Sequence, residues 1–361
     1  MAAKRCIGIL TSGGDCAGLN AAIRAVVERA VGGYGWDVVG ILNATLGLMQ
    51  RPPSVMNLEL EAFSGTLLRQ GGTILGTVNS GDPFDYPMPD GSRKDRSDEV
   101  IEGFRSLGLD ALIGIGGDGS LRILNRLAVQ GGFQFIAIPK TIDNDVPLTE
   151  FSIGFASAVS AASEALDRLQ PTAASHHRVM VLEVMGRDAG HIALNAGIAG
   201  GADVILLPEI PYDIDKVAAK LNSLRKRGRN HALVVCSEAI KAVGGKTFMQ
   251  AEGGGEARYG GVGHRLGAEI AKATGAETRV TVLGHVQRGG TPSSRDRIIA
   301  SAFGVHAVEL VAAGKSGSMV AWQNREVVEV ALSAVVAGSG LVDLKGAQIT
   351  AARGLGICLG D

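Results

Sequence analysis

One pattern constrains this chain more than any other: an apolar strand stops in a glycine turn and hands over to a helix, and the unit recurs. Its sharpest copy is Ala111–Ser120 (ALIGIGGDGS), where the strand ends in a turn carrying one acid and one hydroxyl. Further copies start at Arg5–Leu10, Phe133–Ile138, Arg178–Val184, His231–Cys236 and Arg279–Leu283. Strands and helices that alternate in this way build parallel sheets covered by helices on both faces. The unit recurs on both sides of about residue 155. The expected fold is therefore α/β, with two similar doubly wound (Rossmann-like) domains and the active site in the cleft between them.

Composition supports this class and excludes others. Glycine accounts for 52 of 361 residues, roughly twice the usual share of ~7%, and much of the excess falls at strand ends. The formal net charge is −1, so nothing basic points to nucleic acid, and any anion must be met by local arginines. Cys6, Cys16, Cys236 and Cys358 are scattered without CxxC spacing and read as reduced thiols of a cytoplasmic protein. No apolar N-terminal region of signal type and no apolar run of about 18 residues occurs, so neither a signal peptide nor a membrane span is expected.

The chain order gives more local expectations. A helix should run from about Ala17 to Val31, with Leu19, Ile23, Val26 and Ala30 facing the sheet. Val38–Leu42 reads as a strand, residues 43–70 as irregular around Pro52-Pro53, and Gly71–Thr77 as another strand-like segment. Helices are expected over Val100–Leu107, from the GGDGS turn to Val129, over Ala156–Leu169, Lys216–Arg225, His264–Ala273 and Arg297–Ala313. Ala251–Gly263 reads as a loop. The tail should hold one strand near Gln323–Val330 and loose structure after Gly338.

Two runs carry the chemistry. In Gly116-Gly117-Asp118-Gly119-Ser120, glycines let backbone amides approach a phosphate, because no Cβ intervenes. Asp118 there suits Mg²⁺ beside a phosphate chain. In Pro139–Asp145 (PKTIDND), Asp143 is placed one strand over and suits the removal of a proton from an attacking hydroxyl. The turn Thr11–Asp15, with Gly13, is a second anion site at a helix start. A donor cradle, a metal holder and a base together describe phosphoryl transfer. The loops at 11–15, 116–120, 139–145, 185–188, 238 and 284–290 all follow strand ends.

Taken in order, the strand with TSGGD, then GGDGS, TIDND, MGRDAG and GHVQRGG resemble the 6-phosphofructokinase family from about Lys4 to about Gly314. The likeness is to its bacterial-type, ATP-dependent, mixed-substrate branch. The resemblance implies phosphorylation of fructose 6-phosphate by ATP with Mg²⁺, a glycolytic reaction. It implies a nucleotide domain (1–154, 287–338) and a sugar-phosphate domain (155–286, 339–361). Asp143 becomes the general base that acts on the sugar C1 hydroxyl. Thr141 orients the reacting groups, and Arg187 stands with these two as catalytic. Gly13, Gly117, Asp118, Gly119 and Ser120 hold the nucleotide, with Asp118 on the metal. Thr141, Ile142, Asp143, Met185, Gly186, Arg187, Glu238, His285, Val286, Gln287 and Arg288 bind fructose 6-phosphate, joined by Arg178 and Arg279. In the family the last two arginines reach in from the neighbouring subunit, so a homo-oligomer, commonly a tetramer, is implied. The other histidines take no role.

Three positions depart from the pattern or decide within it. Gly119 leaves room for an α-phosphate, where pyrophosphate-dependent relatives carry aspartate. Lys140 points the other way, since many bacterial ATP enzymes have glycine there, and Asn79 stands where many of them have an arginine. Gly119 weighs more, because it is steric; ATP is the expected donor, with ADP and pyrophosphate as alternatives. Arg24 matches an arginine of the family's effector site, but Glu28 stands where a second would be, so altered control by ADP or phosphoenolpyruvate is expected. Two rival readings fare worse. A different GGDG kinase leaves TIDND and HVQRGG without a purpose. A dinucleotide-binding oxidoreductase or nucleotide sensor would need GxGxxG, but SGGDCAG lacks it, and Ile41-Leu42-Asn43 puts no acid after the second strand.

Overall fold

The computed structural model describes residues 4–361 except 64, 246–248, 251–257 and 339. Most of the loop expected at 251–263 therefore lies outside the described residues. The strands that matter here are β1 (Cys6–Thr11), β2 (Asp37–Ile41), β3 (Val55–Asn57), β4 (Ala111–Gly116), β5 (Gln134–Thr141), β6 (Val179–Val184), β7 (Val204–Leu206), β8 (Ala232–Ser237), β9 (Thr278–Val282), β10 (Ser318–Gln323) and β11 (Glu326–Ala331). The helices are α1 (Leu19–Val27), α2 (Asp118–Gly131), α3 (Phe155–His176), α4 (His191–Ala199), α5 (Ile214–Lys226), α6 (Val262–Thr274) and α7 (Ser294–Ala312).

The chain forms two compact α/β units. The first comprises Met1–Thr141, Asp145–Ala156 and Arg288–Ser339, and the second Ile142–Asn144, Ser157–Gln287 and Gly340–Asp361. In the first, the sheet order is β11-β10-β5-β4-β1-β2-β3, with the short strand Ile153–Gly154 paired to β5. The inner pairs are parallel, while β3 and β11 close the edges antiparallel. In the second, the order β7-β8-β6-β9 is parallel throughout.

The central strands are apolar along their whole length because both faces are covered. All six residues of β4 are buried. One face of the first sheet packs Leu10, Leu112, Phe135 and Met319 against Leu121 and Leu124 of α2. α1 and α7 meet at small residues: a Cβ at Gly304 would lie 2.7 Å from the Ala25 Cβ and 2.8 Å from the Ala22 carbonyl. The second core joins Val179, Val181, Val204 and Val234 to Leu266 and Ile270 of α6.

The structure corrects several local expectations. Gly71–Thr77 is not a strand; Asn20 takes its place as organiser, accepting from the Ile74 N–H at 2.9 Å and donating to the carbonyls of Gln70 and Gly71. Residues 43–70 hold a helix at Thr45–Met49 as well as β3. The helix expected to end at Leu169 runs on to His176 through Pro171. Proline removes one N–H and strains the turn before it, which makes it a natural sequence signal for a stop; here the packed helix overrides it. The tail has two strands, β10 and β11, reversed at Asn324 and Arg325, both with positive φ. After Gly338 the chain is not loose: Ala347–Gly354 is a helix, and Cys358 bridges to Val204.

Candidate active site

In the first unit β5, β4 and β1 are neighbours, so Lys140–Thr141, Gly116–Ser120 and Ser12–Asp15 leave the sheet side by side at its carboxyl edge. From β1 the chain goes to β2 on one side; from β4 it goes to β5 on the other. Connections that diverge in this way leave a crevice between the two strand ends, the usual ligand position in a doubly wound sheet.

Hydrogen bonds span that crevice. The Ser12 N–H donates to the Ile115 carbonyl at 2.9 Å, and Ser12 Oγ to Ser120 Oγ at 3.1 Å. Gly13 has φ +82°, and a Cβ there would lie 3.0 Å from Ser120 Oγ. Its N–H donates to the Val78 carbonyl at 3.0 Å, which puts the Thr77–Asn79 run beside the loop. Lys140 is only 3% exposed. Its Nζ donates to the Ser12 carbonyl at 3.0 Å and to the Gly14 carbonyl. Gly117 caps α2, and Asp118 is the first residue of that helix and exposed. A Cβ at Gly119 would meet no atom within 4 Å. Gly13, Gly117, Asp118, Gly119, Ser120, Lys140 and Thr141 are thus gathered at one edge.

No cluster of three His, Cys, Asp or Glu residues able to hold a metal occurs among the described residues. The exposed carboxylate of Asp118 suits Mg²⁺, which needs few protein ligands when phosphates and water supply the rest. Cys16, beside this loop, is fully buried and donates to the Ile153 carbonyl at 3.3 Å; burial pushes its thiol up to about 12.

Arg288 also belongs to the first unit. Its guanidinium covers Gly14, where a Cβ would lie 2.7 Å from Nη1, and donates to the Asp15 carbonyl at 3.0 Å. Ile142 and Asp143 follow β5 and are buried, and Asn144 turns the chain with φ 54°. Ser152 Oγ donates to the Thr141 carbonyl at 2.8 Å. The fully buried Asp296 accepts from the Gly154 N–H at 3.0 Å, and Gly154 pairs with Thr141.

In the second unit β8, β6 and β9 are neighbours, and their carboxyl ends bring together Glu238, Met185-Gly186-Arg187 and Gly284-His285-Val286-Gln287. Glu238 Oε1 accepts from the N–H groups of Gly186 at 3.3 Å and Arg187 at 3.0 Å. Gly186 has φ +152°, and a Cβ there would lie 2.5 Å from the Ala189 carbonyl oxygen. Arg187 sits at φ 50°, with its side chain exposed. Tyr259 donates to Asp188 at 2.8 Å, a bond that raises the Tyr259 hydroxyl pKa. His285 and Val286 are exposed and Gln287 is buried.

Arg178 and Arg279 are not with them. They lie at the amino ends of β6 and β9, where both pair with Glu277. The Arg178 hydrogen bond holds the Glu277 carboxyl below its usual range. Roughly 20 Å of strand separates this end of β6 from Arg187, at 3.3 Å per residue. Within one sheet, no ligand the size of a sugar phosphate reaches both.

No motif of the sequence singles out Asn20 or Asp296, which brace these loops from within the fold. Asn20 did leave a signal: it is a polar residue inside the apolar stripe of α1, fully buried.

The phosphofructokinase family matches residues 6–311. The chain belongs to the phosphofructokinase family. It is 58% identical over 355 residues to a Synechocystis protein named ATP-dependent 6-phosphofructokinase 1, covering 98% of each chain. It is also 58% identical over 361 residues to a Nostoc protein of the same name, covering 100% of both. Among solved structures, a Saccharomyces cerevisiae phosphofructokinase is similar, with TM-score 0.77 and 29% identity over 98% of this chain. This family member spans 47% of the yeast chain's length.

Proposed function

We propose that this chain transfers the γ-phosphoryl group of ATP to the C1 hydroxyl of D-fructose 6-phosphate, giving fructose 1,6-bisphosphate and ADP, as a step of glycolysis. The observation that carries the reading is the pair of loops facing each other across the β1/β4 crevice, with open space at Gly119. The names of the similar full-length proteins support ATP as donor.

In this reading the first unit holds the nucleotide and the second the sugar phosphate. Backbone amides of 117–120 cradle the phosphates, aided by the positive end of α2, and Gly13, without a Cβ, leaves them room beside Ser120. Asp118 would hold Mg²⁺, which neutralises the developing charge on the transferred group. Asp143 accepts the C1 hydroxyl proton as that oxygen bonds to phosphorus and the bond to the β,γ-bridging oxygen breaks. Thr141 orients the reacting groups. Glu238 shapes the Met185–Arg187 turn and accepts a sugar hydroxyl. Arg187, His285 and Arg288 meet negative charge.

Arg178 and Arg279 act on the sugar phosphate of a neighbouring copy, which makes the working protein a homo-oligomer, a tetramer by family habit. Their position, a strand's length from Arg187, supports this. The setting is cytoplasmic, and no described helix is long and apolar enough to cross a membrane. Effector control is weakened, because Arg24 is paired with Glu28 at 3.0 Å and an acid there repels a nucleotide diphosphate.

The test is an assay of pure protein with fructose 6-phosphate and ATP, ADP or pyrophosphate in turn, with Mg²⁺ present or chelated. Turnover with ATP and Mg²⁺ is expected; turnover with pyrophosphate alone would overturn the donor assignment.

A further inference from the structure

The turn from Met185 to Gly190 is gripped by carboxylates at both ends. Glu238 takes the N–H groups of Gly186 and Arg187. At the other end the Gly190 N–H lies 3.0 Å and 3.2 Å from the two oxygens of Glu209. The fit is close: a Cβ at Gly190 would lie 2.8 Å from Glu209 Oε2 and 2.7 Å from Leu207 Cδ2. Glu209 Oε1 also accepts from the Val342 N–H at 2.9 Å. One carboxylate therefore touches the turn on one side and the C-terminal segment on the other.

That segment is otherwise well anchored. His191 Nε2 lies 2.8 Å from the Gly340 carbonyl oxygen. Gln348 Nε2 donates to Asn195 Oδ1 at 2.7 Å. Beyond these, the Cys358 N–H donates to the Asp203 carbonyl at 3.0 Å, and the Ile205 N–H to the Cys358 carbonyl at 2.9 Å. Residues 340–361 thus lie along α4 and β7, and they fall outside the 6–311 family match.

We propose that Glu209 is a positioning residue for the sugar-phosphate turn, and that through it the C-terminal segment sets where Arg187 points. Arg187 has φ 50°, a conformation that a side-chain-bearing residue keeps only when its surroundings over-determine it. Four contacts do so here: the Gly186, Arg187 and Gly190 N–H groups on carboxylates, and the Ala189 N–H on the Gly186 carbonyl at 3.0 Å. Releasing the Gly190 end lets the Arg187 backbone relax and swings its guanidinium. Arginine contacts to a phosphorylated sugar depend on fixed geometry, and an ångström of displacement is costly.

The proposal rests on the fructose 6-phosphate reading, so its test has two parts. The first compares Glu209→Ala, Glu209→Gln, Val342→Pro (which deletes the N–H) and the Glu209→Ala/Val342→Pro double variant. Glu209→Ala should raise KM for fructose 6-phosphate about tenfold, the scale of one charge-assisted hydrogen bond. KM for ATP should stay within about twofold. Glu209→Gln, which keeps the size and one acceptor, should recover part of the loss. The double variant should be no worse than the more severe single one, because both act through one carboxylate. An unchanged KM in Glu209→Ala, or additive losses, would overturn the proposal. The second part is amide hydrogen exchange without substrates. Glu209→Ala should speed exchange at 187–190 and at 341–343 together; acceleration in one segment alone would overturn it. Wild-type protein inactive on fructose 6-phosphate would sink the functional reading, and the exchange result would still decide the coupling.

Discussion

Lys140 donates from its buried ammonium to the backbone carbonyl of Ser12 at 3.0 Å. The lysine leaves the end of β5 and crosses β4 to reach the loop that follows β1. Its second bond, to the Gly14 carbonyl, pins the same loop from the other side of Gly13. The charge stands next to the donor cradle and also fixes its shape.

Removing that amine should therefore damage nucleotide handling and stability together. Lys140→Met leaves two loop carbonyls without their buried donor, a loss of roughly 3 kcal/mol for hydrogen bonds to a charged group. We expect kcat/KM for ATP to fall at least about tenfold, with a lower melting temperature. Calorimetry and steady-state kinetics on one preparation read both. A lysine that acts only on the transferred phosphate would lower the rate and leave the melting point in place.

Gly119→Asp tests the steric argument for the donor. A Cβ at 119 meets no protein atom, so the substitution should leave the melting temperature unchanged. It should raise KM for ATP sharply, because the new carboxylate fills and charges the space beside the cradle. Unaltered ATP kinetics would refute the account of Gly119.

Subunit mixing addresses the arginines at the amino ends of β6 and β9. Arg178→Ala and Asp143→Asn should each be nearly inactive as pure proteins. If Arg178 serves a neighbouring copy, dissociating and reassembling the two together should restore a fraction of wild-type turnover, since some sites then hold a good base and a good arginine. Mixtures no more active than their components would place Arg178 outside the site.

Cys16 gives a pH prediction. Burial raises its pKa from 9.0 to about 12. The unfolded thiol loses its proton near the ordinary value, whereas the folded one keeps it. The unfolded state then binds fewer protons between those limits, so stability falls as pH rises from about 9 towards about 12. Below pH 9 the contribution is fully present. Cys16→Ser should flatten that alkaline loss in denaturant titrations. The native thiol should also resist alkylation at pH 8, because the thiolate is the reactive form.

Much of this was legible in the sequence, for a local reason. A buried parallel strand must be apolar throughout, and its exit must be a tight polar turn, so Ala111–Ser120 and Arg178–Arg187 announce both the strand and the turn at its carboxyl end. The rest was hidden where tertiary contacts decide. Gly71–Thr77 looks like a strand between glycines, and only the buried Asn20 shows why it is a loop. Pro171 reads as a stop, yet the helix continues to His176. Glu209 is one acid among many until the fold sets Gly190 and Val342 on either side of it.

The central claim is that Asp143 takes the proton from the sugar hydroxyl that attacks the γ-phosphate of ATP. The most direct measurement is steady-state turnover of Asp143→Asn with fructose 6-phosphate and MgATP, beside equilibrium binding of the sugar phosphate. The account predicts a fall in kcat of about 10²–10⁴-fold, with binding of fructose 6-phosphate changed by less than about threefold. A variant that turns over at the wild-type rate, and still binds the sugar, would contradict it.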